Sequence, residues 1–300
     1  QSRLGRHCEI RTIHSFCRSI VVENAQALGF SNPPAVISEP EAEQVLRRVA
    51  TQWLDLNESV WRRFIHEERN KQRWRNDILG FLPEAIQAAK ALSLPDAVAP
   101  PVDWFLAIVA PIFHVYQHEL ALREVVDYDD LVALAYRAVA TFQGVRQGLH
   151  DKYVFLLEDE AQDSYILQTR LLEFLAGPDG NLVRVGDVNQ SILSTFTTAD
   201  PQQFRRFIHE SPSLPLTTAS RSARPIIDLA NDLVSWTVSE HPVVEARDAF
   251  EPQLILEVPG QNPEPLDPGV SIKAYQDEGT EWSEIAARAA RMAEECPELT

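Results

Sequence analysis

The stretch YVFLLEDEAQDSYILQ, Tyr153 to Gln168, runs five apolar or aromatic residues straight into Glu158, Asp159 and Glu160, with Asp163 close behind. An apolar run this short and rich in β-forming residues reads as a strand, Tyr153 to Leu157, buried on both faces of a parallel sheet. Carboxylates crowded at its carboxyl end repel one another, so a positive partner is expected there. In open α/β sheets that end is also where ligands bind.

Working outward, the chain keeps an α/β texture after Asp151. A helix over Ile166 to Leu175 is followed by the turn GPDG (Gly177 to Gly180) and a second strand, NLVRVGD. A third apolar segment, Leu214 to Thr217, precedes the helix ARPIIDLANDLV. Six prolines between His241 and Pro268 predict an ordered loop or linker. VSIKAY (Val270 to Tyr275) predicts another strand, with a helix from about Thr280 to Ala293. Upstream, residues 38–147 read as helices. Ser38 is placed to cap SEPEAEQVLRRVATQWLDL, with Pro40 in the first turn and acids where the helix dipole favours them. DYDDLVALAYRAVATF (Asp127 to Phe142) repeats that acidic start. CEIRTI (Cys8 to Ile13) reads as a strand end leading into a helix over His14 to Leu28. No internal repeat is present.

Composition narrows the function classes. Cys8, Cys17 and Cys296 are too few and too far apart for a disulfide framework, and with His7 and His14 they lack zinc-site spacing. The amino-terminal residues show no signal-peptide pattern, and the longest apolar run, Trp104 to Phe113, is too short to span a bilayer. The expectation is a cytoplasmic protein with no membrane partner; no oligomeric state follows. A formal charge of −17 opposes binding to nucleic acid, but the charge is unevenly spread. Residues 1–75 hold 12 Lys+Arg against 9 Asp+Glu, a net of +3, which leaves −20 on residues 76–300. WRRFIHEERNKQRWR (Trp61 to Arg75) is the densest basic segment. Arginines among tryptophans suit a nucleic-acid strand, since guanidinium binds phosphate and indole stacks on bases. A solvated helix face with its tryptophans packed inward reads equally from the same residues.

The carboxylates at Glu158 to Glu160 are explained if the missing positive charge is Mg²⁺ on a nucleotide. A strand followed by Asp-Glu has the form of a Walker B element, in which the aspartate holds the metal and the glutamate polarises water. DEAQD adds Gln162 and Asp163. VGDVNQSI (Val185 to Ile192) is a strand ending in Gly-Asp with Gln190 three residues on. TTASRSARPIIDLAN (Thr217 to Asn231) places Arg221 at the start of a helix. Polar clusters at successive strand-to-helix junctions fit one ligand site at one sheet edge.

DEAQD, GDxxQSI and the SRS…I…AN pattern resemble three motifs of the UvrD/Rep-type superfamily 1 DNA helicases. TIHSFC (Thr12 to Cys17) resembles that family's TxHxF motif, and DYDDL its DFxDL helix. The resemblance implies a RecA-like P-loop NTPase core with a parallel sheet, interrupted by an all-helical insertion domain. Residues 1–13 and 151–213 would form the first motor domain, 14–150 the insertion, and 214–300 the start of the second motor domain. It implies an ATP-dependent DNA helicase using ATP and Mg²⁺. Asp159 would bind Mg²⁺, Glu160 would activate water, Gln190 would sense the γ-phosphate, and Arg221 would reach that phosphate, with Gln162 and Asp163 in the same site. Thr12, His14 and Phe16 would contact single-stranded DNA, with Phe196 stacking on a base and Arg73 and Arg75 on phosphates.

The departures are informative too. The family's phosphate loop needs a lysine after glycine and before Ser or Thr, and Lys71, Lys90, Lys152 and Lys273 all lack that context. The chain therefore reads as a piece of a longer helicase, inactive by itself; the alternative is a degenerate domain acting as a DNA- or protein-interaction module. Ser220 replaces the family's adenine-stacking tyrosine, and SILSTFTTAD lacks the Tyr and Arg of SIYxFRGA. A metal-dependent nuclease is excluded, because residues Arg69, Ala88, His150 and Ser271, two before each lysine, include no acid.

Overall fold

A computed structural model describes residues 8–65, 70–92, 105–177, 180–191, 201–265 and 270–295. The chain divides into two compact units, Gln1–Ser213 and Leu214–Thr300. In the first, the elements are α1 (Ile13–Glu23), β1 (Ala35–Val36), α2 (Glu39–Leu56), α3 (Glu58–Trp61), α4 (Lys71–Leu92), α5 (Ala110–Leu122), β2 (Val125–Val126), α6 (Tyr128–Thr141), α7 (Gln143–Lys152), β3 (Leu156–Glu158), α8 (Ile166–Ala176), β4 (Leu182–Arg184) and α9 (Pro201–Glu210). The second holds β5 (Thr218–Ala219), α10 (Arg224–Glu240), β6 (Leu256–Glu257) and α11 (Glu278–Glu295). This is a mixed α/β chain in which β1 pairs with β2, β3 with β4 and β5 with β6, each in parallel.

Local capping explains where the helices start. The Thr12 hydroxyl accepts the Ser15 N–H at 3.3 Å ahead of α1. At α2 the Glu41 carboxylate reaches back to the Ser38 N–H at 2.8 Å. At α6 Asp127 accepts the Asp130 N–H at 2.9 Å while Asp130 accepts that of Asp127 at 3.2 Å. Each contact satisfies an amide that the first helical turn leaves without an intrahelical partner.

Two apolar cores then assemble. One joins Cys17, Ile20 and Val21 of α1 to Leu131, Ala135 and Val139 of α6 and Leu167, Leu171 and Leu175 of α8. The other joins Val45, Val49 and Leu54 of α2 to Leu82 and Ile86 of α4 and Ile112, Tyr116 and Leu120 of α5. Helices α1 and α6, placed by sequence in the 14–150 insertion, share a core with α8, and β1 with β2 interrupts that all-helical stretch.

Several expected strands are corrected. The Tyr153 to Leu157 strand is displaced to Leu156–Glu158, and it is not buried on both faces: Phe155 is 66% and Leu157 76% exposed. Leu156 packs on the first core, whereas the alternating pleat turns Leu157 to the opposite face, which no described residue covers. Cys8 to Ile13 and Val270 to Tyr275 form no strand, leaving Ile10 and Ile272 each 94% exposed. Leu214 to Thr217 gives way to β5 immediately after it. Apolar alternation favours a strand, but the strand persists only where a neighbour takes its backbone hydrogen bonds. Conversely, the proline-rich 241–268 segment holds β6, paired with β5.

Candidate functional site

The parallel register of β3 and β4 sets Leu156 beside Leu182 and Glu158 beside Arg184. Their carboxyl ends are therefore adjacent, and the ladder continues past them through Val185 N–H to the Glu158 carbonyl (2.8 Å) and Ala161 N–H to the Val185 carbonyl (2.9 Å). This brings DEAQD against GDVNQ.

The two motifs are joined through side chains. Gln162, 2% exposed, donates from Nε2 to Glu160 Oε2 at 2.7 Å and accepts the Asp187 N–H on Oε1 at 3.1 Å. The Asp187 carboxylate accepts the Asn189 N–H at 3.0 Å and the Gln190 Nε2 at 2.9 Å. Gly186 is required by this crossing, since a Cβ there would lie 2.4 Å from Gln162 Oε1 and 3.1 Å from the Ala161 nitrogen. Glu160 holds a left-handed backbone at φ +53°, a conformation that non-glycine residues adopt rarely and that is enriched at functional sites. Asp159 accepts the Glu160 N–H at 3.1 Å, and both carboxylates are exposed. Burial, then the charge of Glu160, pushes the Asp163 carboxyl above the usual carboxylate range, and its Oδ1 is buried without a hydrogen-bond partner among the described residues.

Glu158 behaves differently from its neighbours. Arg184 Nε binds its Oε2 at 2.5 Å, and the Ser164 hydroxyl donates to Oε1 at 2.6 Å. Arg184 is the positive partner of one carboxylate in the cluster, and sequence reasoning missed it. Asp187 and Gly186 were missed as well, although the Gly-Asp of VGDVNQ was a usable signal.

The donor set fits Mg²⁺, a hard cation that binds through one or two carboxylates while phosphates and water complete its shell. Among the described residues no cluster of three or more His, Cys, Asp or Glu forms a self-sufficient metal site. Each of the four lysines sits beside a carboxylate: Lys71 pairs with Glu58, Lys90 with Asp127 and Asp130, Lys152 with Glu9, and Lys273 with Glu284.

Arg221 belongs to the second unit and lies in a bend three residues before α10, not in its first turn. Its neighbourhood is organised by Asn231, which exchanges two hydrogen bonds of 2.9 Å with the Ile255 backbone, and by Asn262, which donates to the Ala219 and Ser222 carbonyls.

Most of the residues expected at DNA have partners within the chain. Thr12 is spent on capping α1, His14 packs edge-on to Tyr128 at 5.2 Å, and Phe16 packs edge-on to Tyr153 at 5.6 Å. Trp61 is 1% exposed, donates its indole N–H to the Leu54 carbonyl and stacks on Trp74, so it has no face open to a base. The inward-packed alternative holds for that tryptophan. Arg75 is held by Asp55 at 2.6 Å, whereas Arg73 reaches Asp77 only at 3.9 Å and stays 85% exposed. Phe196 lies outside the described residues. No described helix is long and apolar enough to cross a membrane.

A family model for the UvrD/REP helicase N-terminal domain matches residues 1–212. The chain is 26% identical over 249 residues to the ATP-dependent DNA helicase PcrA of Staphylococcus aureus, covering 81% of this chain and 32% of the relative. It is 25% identical over 235 residues to the PcrA of Staphylococcus epidermidis, covering 77% and 30%. The chain therefore spans about a third of the length of the curated relatives it matches.

Proposed function

The chain belongs to the UvrD/REP helicase N-terminal domain family, and from that premise we propose that it is part of an ATP-dependent DNA helicase that couples nucleotide hydrolysis to movement along single-stranded DNA. The observation that carries this reading is the hydrogen-bonded chain Glu160–Gln162–Asp187–Gln190 across two adjacent parallel strand ends, with Asp159 and Glu160 left open to a ligand.

In this reading Asp159 would hold Mg²⁺, which when bound would neutralise charge on the phosphates. Glu160 orients and polarises the attacking water, its carboxylate aimed by the Gln162 amide and its own left-handed backbone. Gln190, tethered to Asp187, senses the terminal phosphate, so occupancy there reaches Glu160 through Gln162. Arg221, which matches the family's arginine-bearing motif, is assigned a phosphate-contacting role in the same reading. The 1–13 and 151–213 segments act as the motor core and residues 214–300 as the start of a second motor domain. Thr12, His14, Phe16 and Arg73 offer the surface for the DNA strand.

The test is Glu160→Gln in the full-length protein. Turnover should fall by about 10²–10⁴-fold, the range for removing a positioned acid–base group, with nucleotide affinity retained. The isolated 300-residue chain, without a phosphate-gripping lysine, should turn over no ATP. Full turnover in Glu160→Gln would overturn the assignment.

A further inference from the structure

The Glu158–Arg184 pair lies directly beneath the proposed nucleotide site. Successive side chains of a strand point to opposite faces, so Glu158 shares the inward face of Leu156 while the next residue, Asp159, turns out to solvent. The Arg184 side chain is 0% exposed and that of Glu158 10%. Beyond Glu158, Arg184 donates from Nη2 to Thr169 Oγ1 of α8 at 3.2 Å, and its guanidinium lies 5.2 Å and 5.8 Å from the Phe207 and Phe204 rings of α9. Its Nη1 is buried and finds no acceptor among the described residues. A guanidinium with one nitrogen unsatisfied is expensive to bury, and an aliphatic pair in its place would be neutral or stabilising in many folds. The pair therefore calls for a reason beyond stability.

We propose that Arg184 is a positioning residue for the nucleotide site: it draws Glu158 beneath the sheet and cancels its charge, so that Asp159 and Glu160 face the Mg²⁺·nucleotide without a third carboxylate. The inference rests on the proposed function. An uncancelled Glu158 would add a negative charge one residue from Asp159, repelling the phosphates. An uncancelled Arg184 would do the reverse. The two single changes thus move nucleotide affinity in opposite directions, whereas a purely structural pair would weaken it in both.

The experiment uses the full-length protein with a fluorescent ATP analogue and Mg²⁺, reading Kd by titration and Tm on the same samples. Arg184→Gln and Glu158→Gln each keep a hydrogen-bonding group at the site. A unit charge acting over about 10 Å at an effective dielectric near 20 shifts Kd by about tenfold. Arg184→Gln should therefore raise Kd by about tenfold and Glu158→Gln lower it by a similar factor. The double variant should return to the parent Kd. Tm should fall in both single variants, which separates the fold effect from the charge effect. Kd shifts of one sign in both singles, unchanged Kd in either, or a double variant as weak as Arg184→Gln would overturn the inference while leaving the proposed function standing. A parent protein that binds no nucleotide would overturn the proposed function, and this inference with it.

Discussion

Two carboxylate clusters in the first unit meet opposite fates. In DYDD, Asp127 and Asp130 are each 7% exposed and close on the Lys90 ammonium, itself 2% exposed. Tyr116 donates its hydroxyl to Asp127 at 2.7 Å and Gln117 its amide to Asp130 at 2.9 Å. Burial works to raise the Asp127 carboxyl, but Lys90 outweighs it and holds the group below the usual range, while burial leaves Asp130 pushed up. In EDE, only Glu158 is treated this way, by Arg184, and Asp159 and Glu160 remain open. Density of acids is thus a poor guide to function. The residues to follow are those the fold leaves without a cation although one lies within reach of their neighbour.

The largest expected effect tests the closed cluster. Lys90→Met would leave two buried carboxylates without their cation, and loss of one partner of a buried pair costs about 3–5 kcal/mol. Urea unfolding should show that loss, whereas Asp159→Asn, at the open cluster, should stay within about 0.5 kcal/mol of the parent. Equal costs at the two sites would erase the distinction.

A smaller effect comes from His14, which packs on Tyr128 where the closed cluster begins. Burial lowers its imidazole pKa, with Asp129 and Glu39 opposing. A depressed folded pKa means that the unfolded chain takes up the proton first. Stability from this group is therefore present above the ordinary histidine value and lost as pH falls through about 6.5 towards the folded one. His14→Gln should flatten that part of the stability–pH curve; an unchanged slope would show that the residue is not desolvated as the packing requires.

The smallest effect extends the comparison to cations. Arg75 is already paired, and Arg73 is open. If the open residue is the functional one, Arg73→Ala should reduce the salt slope of single-strand binding by about 0.7, and Arg75→Ala should leave it unchanged. Fluorescence anisotropy across a salt series reads both, and equal slopes for the two variants would break the parallel.

The amino-acid sequence by itself determined what depends on neighbours three or four residues away. Ser38 and Asp127 announced their helices because a cap acts within one turn, and DEAQD and GDVNQ marked two strand ends rich in carboxylates and amides. The tertiary structure decided which charges find partners. Arg184 meets Glu158 across 26 residues and Lys90 meets Asp127 across 37, and no spacing rule links them. It also decided which apolar runs become strands, since Cys8 to Ile13 and Val270 to Tyr275 alternate well but pair with no strand among the described residues. Trp61 lost its open face for the same reason: an indole beside arginines suits a nucleic acid or a core equally, and only the helices that pack on it choose.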